Sequence, residues 1–155
     1  MTNRGELALV MSGGGARAAY QVGALRWLAR RFPDTAIPVL TGVSAGAINA
    51  AFLAANSGGF EERVEKLCAV WSELRVENVF RVGPMGLFTH VIDSALSLVS
   101  GRHHKPKHHG MVDTGSLRTF LERVLVGRDG ELVGIAENLQ GGVVRAVALT
   151  AASYT

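Results

Sequence analysis

Gly42-Val43-Ser44-Ala45-Gly46 decides the reading of this chain, because it follows the short apolar run Ile37-Pro38-Val39-Leu40-Thr41 and precedes Ala47-Ile48-Asn49-Ala50-Ala51-Phe52-Leu53. That order reads as strand, sharp turn, helix. Glycine on either side of the turn removes side chains that would collide with strand or helix, so the turn lifts Ser44 off the sheet edge. The start of a helix also offers unpaired N–H groups and a dipole that favour negative charge on an oxygen placed there. Ser44 is therefore expected as an exposed nucleophile, with Gly42 and Gly46 shaping the elbow.

Upstream, Leu7-Ala8-Leu9-Val10-Met11 lacks polar alternation, the pattern of a strand covered on both faces in a parallel sheet. It runs straight into Ser12-Gly13-Gly14-Gly15-Ala16-Arg17, whose consecutive glycines permit unusual dihedrals and leave backbone N–H groups free to bind an anion. Over residues 16–32, Ala18, Val22, Leu25, Ala29 and Phe32 form a helical stripe, Arg26 and Arg30 share another face, and Pro33 ends the helix. Strand, helix, strand and helix imply a parallel sheet with right-handed crossovers, which gathers loops at the carboxyl ends of the strands. The glycine loop and Ser44 should then face one crevice, where N–H groups meet the oxyanion formed as a serine attacks a carbonyl.

Downstream, the Ala-rich helix should run to about Asn56. A second helix over residues 61–74 carries Val64, Leu67, Cys68 and Trp71 on one face, with Cys68 and Trp71 as core side chains. Residues 85–100 are apolar save for a narrow face of His90, Asp93, Ser94 and Ser97, and residues 101–110 form a basic loop. This pair is expected to meet a lipid surface through Arg102, Lys105 and Lys107. His103, His104, His108 and His109 have no supporting carboxylate or cysteine, so no metal site is assigned. Asp113 or Thr114 caps a helix bearing Leu117, Phe120, Leu121, Val124 and Leu125, and Val143-Val144-Arg145-Ala146-Val147-Ala148-Leu149 reads as another buried strand.

The bulk properties narrow the classes further. A chain of 155 residues, 48% hydrophobic and 19% charged, fits one globular domain and excludes disorder. Net charge is only +3 and no basic stripe carries interleaved aromatics, so nucleic acid is set aside as a partner. The single cysteine, Cys68, rules out an internal disulfide framework and a cysteine-rich metal site, and fits a reducing compartment. The apolar run at residues 7–11 is too short for a signal-peptide core, so a cytoplasmic location, with peripheral membrane contact, is the expectation.

Gly13-Gly14-Gly15-Ala16-Arg17 followed by Gly42-Val43-Ser44-Ala45-Gly46 resembles the patatin-like phospholipases, serine acyl hydrolases of lipid esters. Tyr20-Gln21-Val22-Gly23-Ala24-Leu25, residues 113–117 and the closing strand extend the resemblance over most of the chain. It implies a three-layer α/β/α fold with a mostly parallel sheet, in which residues 1–155 are the N-terminal part of one acyl hydrolase domain. It also implies Ser44 as nucleophile, an oxyanion hole from Gly13, Gly14 and Gly15, Arg17 as the residue that steadies that loop, lipid or phospholipid esters as substrates, and no cofactor. Two departures stand out: Ala18 replaces the usual glycine after the basic residue, and no Asp-Gly-Gly or Asp-Gly-Ala supplies the aspartate of a Ser-Asp dyad. That aspartate is expected beyond Thr155.

Three rivals remain. The glycine loop also fits a dinucleotide fingerprint, but Thr41 and the serine turn stand where a ribose-binding acid should end the second strand. A Ser-His-Asp esterase would recruit Asp93 and a loop histidine. A lipid-binding or scaffold fragment without catalysis is the alternative of a different class.

Overall fold

The computed structural model describes residues 5–74, 115–126, 132 and 134–151. The expectations for residues 85–110 and for Asp113 and Thr114 lie outside the described residues. Three strands, β1 (Ala8–Met11), β2 (Val39–Val43) and β3 (Ala146–Thr150), pair in parallel in the order β1-β2-β3. Leu40 lies between Leu9 and Val147, and Gly42 between Met11 and Leu149. Parallel neighbours require crossovers. Here α1 (Ala18–Arg31) links β1 to β2, and α2 (Ala45–Ala55), α3 (Phe60–Glu73), α4 (Gly115–Leu125) and α5 (Ile135–Gln140) occur between β2 and β3. The chain divides into two units, residues 1–73 with 122–155, and residues 74–121. In the second, the described residues are 74 and 115–121.

The core sits around α2, which packs on all three strands. Ala50, Ala51, Phe52, Leu53 and Ala54 are all buried, as a helix apolar on every side must be. On β2, Leu40 and Gly42 point inward while Val43 is exposed, the alternation of a pleated strand. Helices α1 and α3 pack together, with Ala18, Val22, Leu25 and Ala29 buried on one and Phe60, Val64 and Leu67 on the other.

Four of the five stripe positions expected on the first helix are buried, but Phe32 is not. It has left the helix, at φ −138°, and its ring lies beneath the Arg31 guanidinium. The outer strands also depart from expectation: Val10 is 75% exposed and Leu149 43%, so neither strand is covered on both faces. Val43, on the same face of the sheet as Val10, is exposed as well, whereas Val39 and Thr41 of that face are half-buried.

Arg26 and Arg30, one turn apart on α1, both pair with Glu65 of α3 at 2.9 Å. The Arg26 hydrogen bond, ahead of the Arg30 one, holds the Glu65 carboxyl below its ordinary value of 4.5. A depressed folded-state pKa means that this contribution to stability is present above the unfolded-state value and disappears as pH falls through the folded one. We expect Glu65→Gln to lower Tm near neutral pH and to leave it unchanged at acid pH, below both values; equal losses at both would contradict this. The pair is solvent-exposed, so added salt should shrink the difference.

Candidate active site

Ser44 is the only non-glycine residue with positive φ among the described residues, at φ 54° and ψ −122°. An L-residue held there stores on the order of 1–3 kcal/mol of strain, so its surroundings must enforce it. Backbone bonds do so: Ser44 N–H donates to the Thr150 carbonyl at 3.1 Å, and the Ser44 carbonyl accepts from the N–H groups of Ala47 and Ile48. β2 thus enters the turn and α2 leaves it with little slack. Ser44 is exposed, and although it holds the N-cap position its hydroxyl makes no capping bond. Oγ is therefore not engaged with the N–H groups of its own helix.

Both flanking glycines are required by space. A β-carbon on Gly42 would lie 2.2 Å from the Gly46 carbonyl oxygen, and one on Gly46 would lie 2.4 Å from that of Met11 and 2.6 Å from that of Ser12. The start of α2 therefore sits directly on the end of β1, where the glycine loop begins.

The loop and the turn meet as the crossover topology requires. A β-carbon on Gly13 would stand 3.2 Å from Ser44 Cβ and 3.8 Å from its Oγ, so the Gly13 backbone lines the space beside the hydroxyl. Gly15 takes φ 55° at the head of a 3-10 turn, Gly15–Arg17, closed by Arg17 N–H on the Gly14 carbonyl at 3.1 Å. Arg17 meets the loop through this backbone bond; its exposed side chain has no polar partner among the described residues. The side chain that does reach the loop is one that the sequence pattern did not single out. Gln21 Nε2 donates to the Ser12 carbonyl at 2.8 Å and to Ser12 Oγ at 3.2 Å.

The rest of α2 is fastened from a distance. The indole N–H of Trp71 donates to Asn49 Oδ1 at 2.8 Å, giving this ring the polar partner that a partly buried indole needs. At the far end of the helix, Arg63 Nη1 donates to the Leu53 carbonyl, Asn56 Nδ2 to Phe52, and Asn138 Nδ2 to both Ala54 and Asn56. Arg63 and Asn138 satisfy carbonyls that a helix C-terminus otherwise leaves open, whereas the Phe52 carbonyl also accepts the Asn56 backbone N–H. Burial pulls the pKa of the Arg63 guanidinium below its ordinary value. Among the described residues, none donates to or accepts from Ser44 Oγ.

A parallel sheet whose central strand breaks into a helix through a strained, exposed serine, faced by a glycine loop from the adjoining strand, defines an α/β protein built around a strand-to-helix elbow. The family model for patatin-like phospholipase matches residues 9–150, from β1 through β3, and the chain belongs to that family. Searches of curated proteins and of solved structures found no match.

Proposed function

We propose that this protein hydrolyses carboxylic esters of lipids or phospholipids through an acyl-enzyme on Ser44. The observation that carries the reading is the strained, exposed Ser44 with the Gly13 backbone beside its hydroxyl. In this scheme Oγ attacks the ester carbonyl and the electron pair of the C=O bond moves to oxygen. N–H groups of Gly13, Gly14 and Gly15 stabilise that oxygen, and collapse of the tetrahedral species expels the alcohol and leaves the acyl group on Ser44. Water then releases the fatty acid by the same route. A general base must take the Oγ proton and return it to the leaving alkoxide. We assign that role to an aspartate outside the described residues, in the Ser-Asp dyad pattern of the family. A fluorophosphonate probe should label folded protein at Ser44 alone, as read by peptide mass spectrometry. Absence of labelling in folded protein would count against the assignment.

Peripheral membrane contact is part of the proposal. No helix of the described residues is long and apolar enough to cross a membrane. Tyr20 and Trp27, 84% and 67% exposed on the outer side of α1, are residues of the kind that rest at lipid headgroup level. Arg102, Lys105 and Lys107 would each add about 1 kcal/mol near an anionic surface. Cosedimentation with phosphatidylglycerol vesicles should fall when the three are replaced by alanine and when salt is added. Binding that persists unchanged in both cases would refute the electrostatic contribution.

A further inference from the structure

Gln21 links α1 to the residue that opens the glycine loop, and the peptide it grips is the one that carries the Gly13 N–H. In a planar trans peptide the carbonyl and the N–H point in opposite directions, so fixing one fixes the other. The Ser12 carbonyl accepts Gln21 Nε2 at 2.8 Å, and it packs so close to Gly46 that a β-carbon there would approach to 2.6 Å. It is held between α1 and α2, which leaves the Gly13 N–H turned away from Gln21. The orientation of the amide is also determined: a carbonyl oxygen accepts only, so Nε2 must face it. The cost is borne by Gln21 Oε1, which is buried without a hydrogen-bond partner among the described residues.

We propose that Gln21 is a positioning residue for the oxyanion site, holding the Ser12–Gly13 peptide so that the Gly13 N–H faces the oxygen that becomes charged when Ser44 attacks. The inference rests on the assignment of Ser44 as nucleophile. It assigns to Gln21 no contact with substrate. Its effect should therefore fall on the charged tetrahedral state and not on ground-state binding.

The test compares Gln21→Met, which keeps length and removes the donor, and Gln21→Glu, which places a carboxylate against the Ser12 carbonyl, with the parent full-length protein. Ester hydrolysis and inhibition by an alkyl trifluoromethyl ketone are measured for each; the serine hydroxyl adds to the ketone carbonyl to give a hemiketal oxyanion. Loss of one oxyanion donor typically costs about a hundredfold or more in kcat. For Gln21→Met we expect kcat to fall about ten- to a hundredfold with KM within about twofold. The ketone should weaken by the same factor as kcat, and Gln21→Glu should lose more. Wild-type kcat and ketone affinity in folded Gln21→Met would overturn the proposal, as would equal changes in KM and kcat or loss of folding in both variants, which would make Gln21 merely structural. Ser44→Ala separates the two readings. If it is inactive while Gln21→Met is unimpaired, the positioning role alone fails; if Ser44→Ala keeps full turnover, the nucleophile assignment fails first.

Discussion

Ser44→Ala should lower ester hydrolysis by about 10⁴-fold or more, because loss of a serine nucleophile removes the covalent route and leaves only binding and oxyanion stabilisation. Folding should be preserved, since Ser44 is exposed and its hydroxyl makes no capping bond. A second substitution at the same place separates chemistry from strain. Ser44→Gly should be equally inactive yet more stable by about 1 kcal/mol. Relief of about 1–3 kcal/mol at φ 54° exceeds the added flexibility of glycine, about 0.5–1 kcal/mol. Denaturant titration with p-nitrophenyl ester hydrolysis reads both effects. Substantial turnover by Ser44→Ala would remove the nucleophile assignment, and a less stable Ser44→Gly would show that the turn is not strained.

The second large effect concerns Gly42. A methyl group there would stand 2.2 Å from the Gly46 carbonyl oxygen and 2.6 Å from the Ala47 nitrogen, both backbone atoms that no rotamer change can move aside. Overpacking typically costs about 1–3 kcal/mol and more where backbone must shift, so Gly42→Ala should lose about 3 kcal/mol or more. For a chain of this size that is a fall in Tm of about 10 °C. It should also abolish labelling of Ser44, because the start of α2 cannot stay where it is. Gly23 provides the contrast. It lies within α1, and a methyl group there would have nothing within 4 Å, so Gly23→Ala should stabilise by about 0.5–1 kcal/mol. Comparable Tm values for Gly42→Ala and the parent would show that the turn yields more easily than its geometry implies.

Both of these results follow from local chemistry, and local chemistry is what the sequence displayed. Gly42, Gly46 and the triple glycine were legible because tight approach and left-handed backbone leave a signature in residue type. The α1 stripe was legible because burial of Val22, Leu25 and Ala29 repeats at helical spacing. Phe32 escaped because helical periodicity continues through it, although the following proline has already turned the chain away. The exposure of Val10 and Leu149 was hidden for another reason: an apolar run declares that a strand can be covered, not which of its faces is. Gln21, Asn49, Trp71 and Asn138 were unreadable as a set. Each is an ordinary polar or aromatic residue whose partner is fixed only by the tertiary fold, and Asn138 finds Ala54 across 84 positions.

The long reach of the residues that secure α2 also bears on when the site comes into being. Thr150 holds the Ser44 N–H, and Asn138 closes the carbonyls at the opposite end of the helix, so the helix is secured at both ends by one stretch of chain made long after it. Synthesis proceeds at about 5–20 residues per second, so the ribosome has made Ser44 for several seconds or longer before it makes Thr150. Until that residue has emerged, the serine lacks the bond from β3 that helps to hold φ at 54°. A half-made chain thus carries the reactive residue without its frame. The turn is completed near the end of translation of this segment, and ribosome-stalled chains released before and after residue 150 should differ in how readily a protease cleaves them near Ser44.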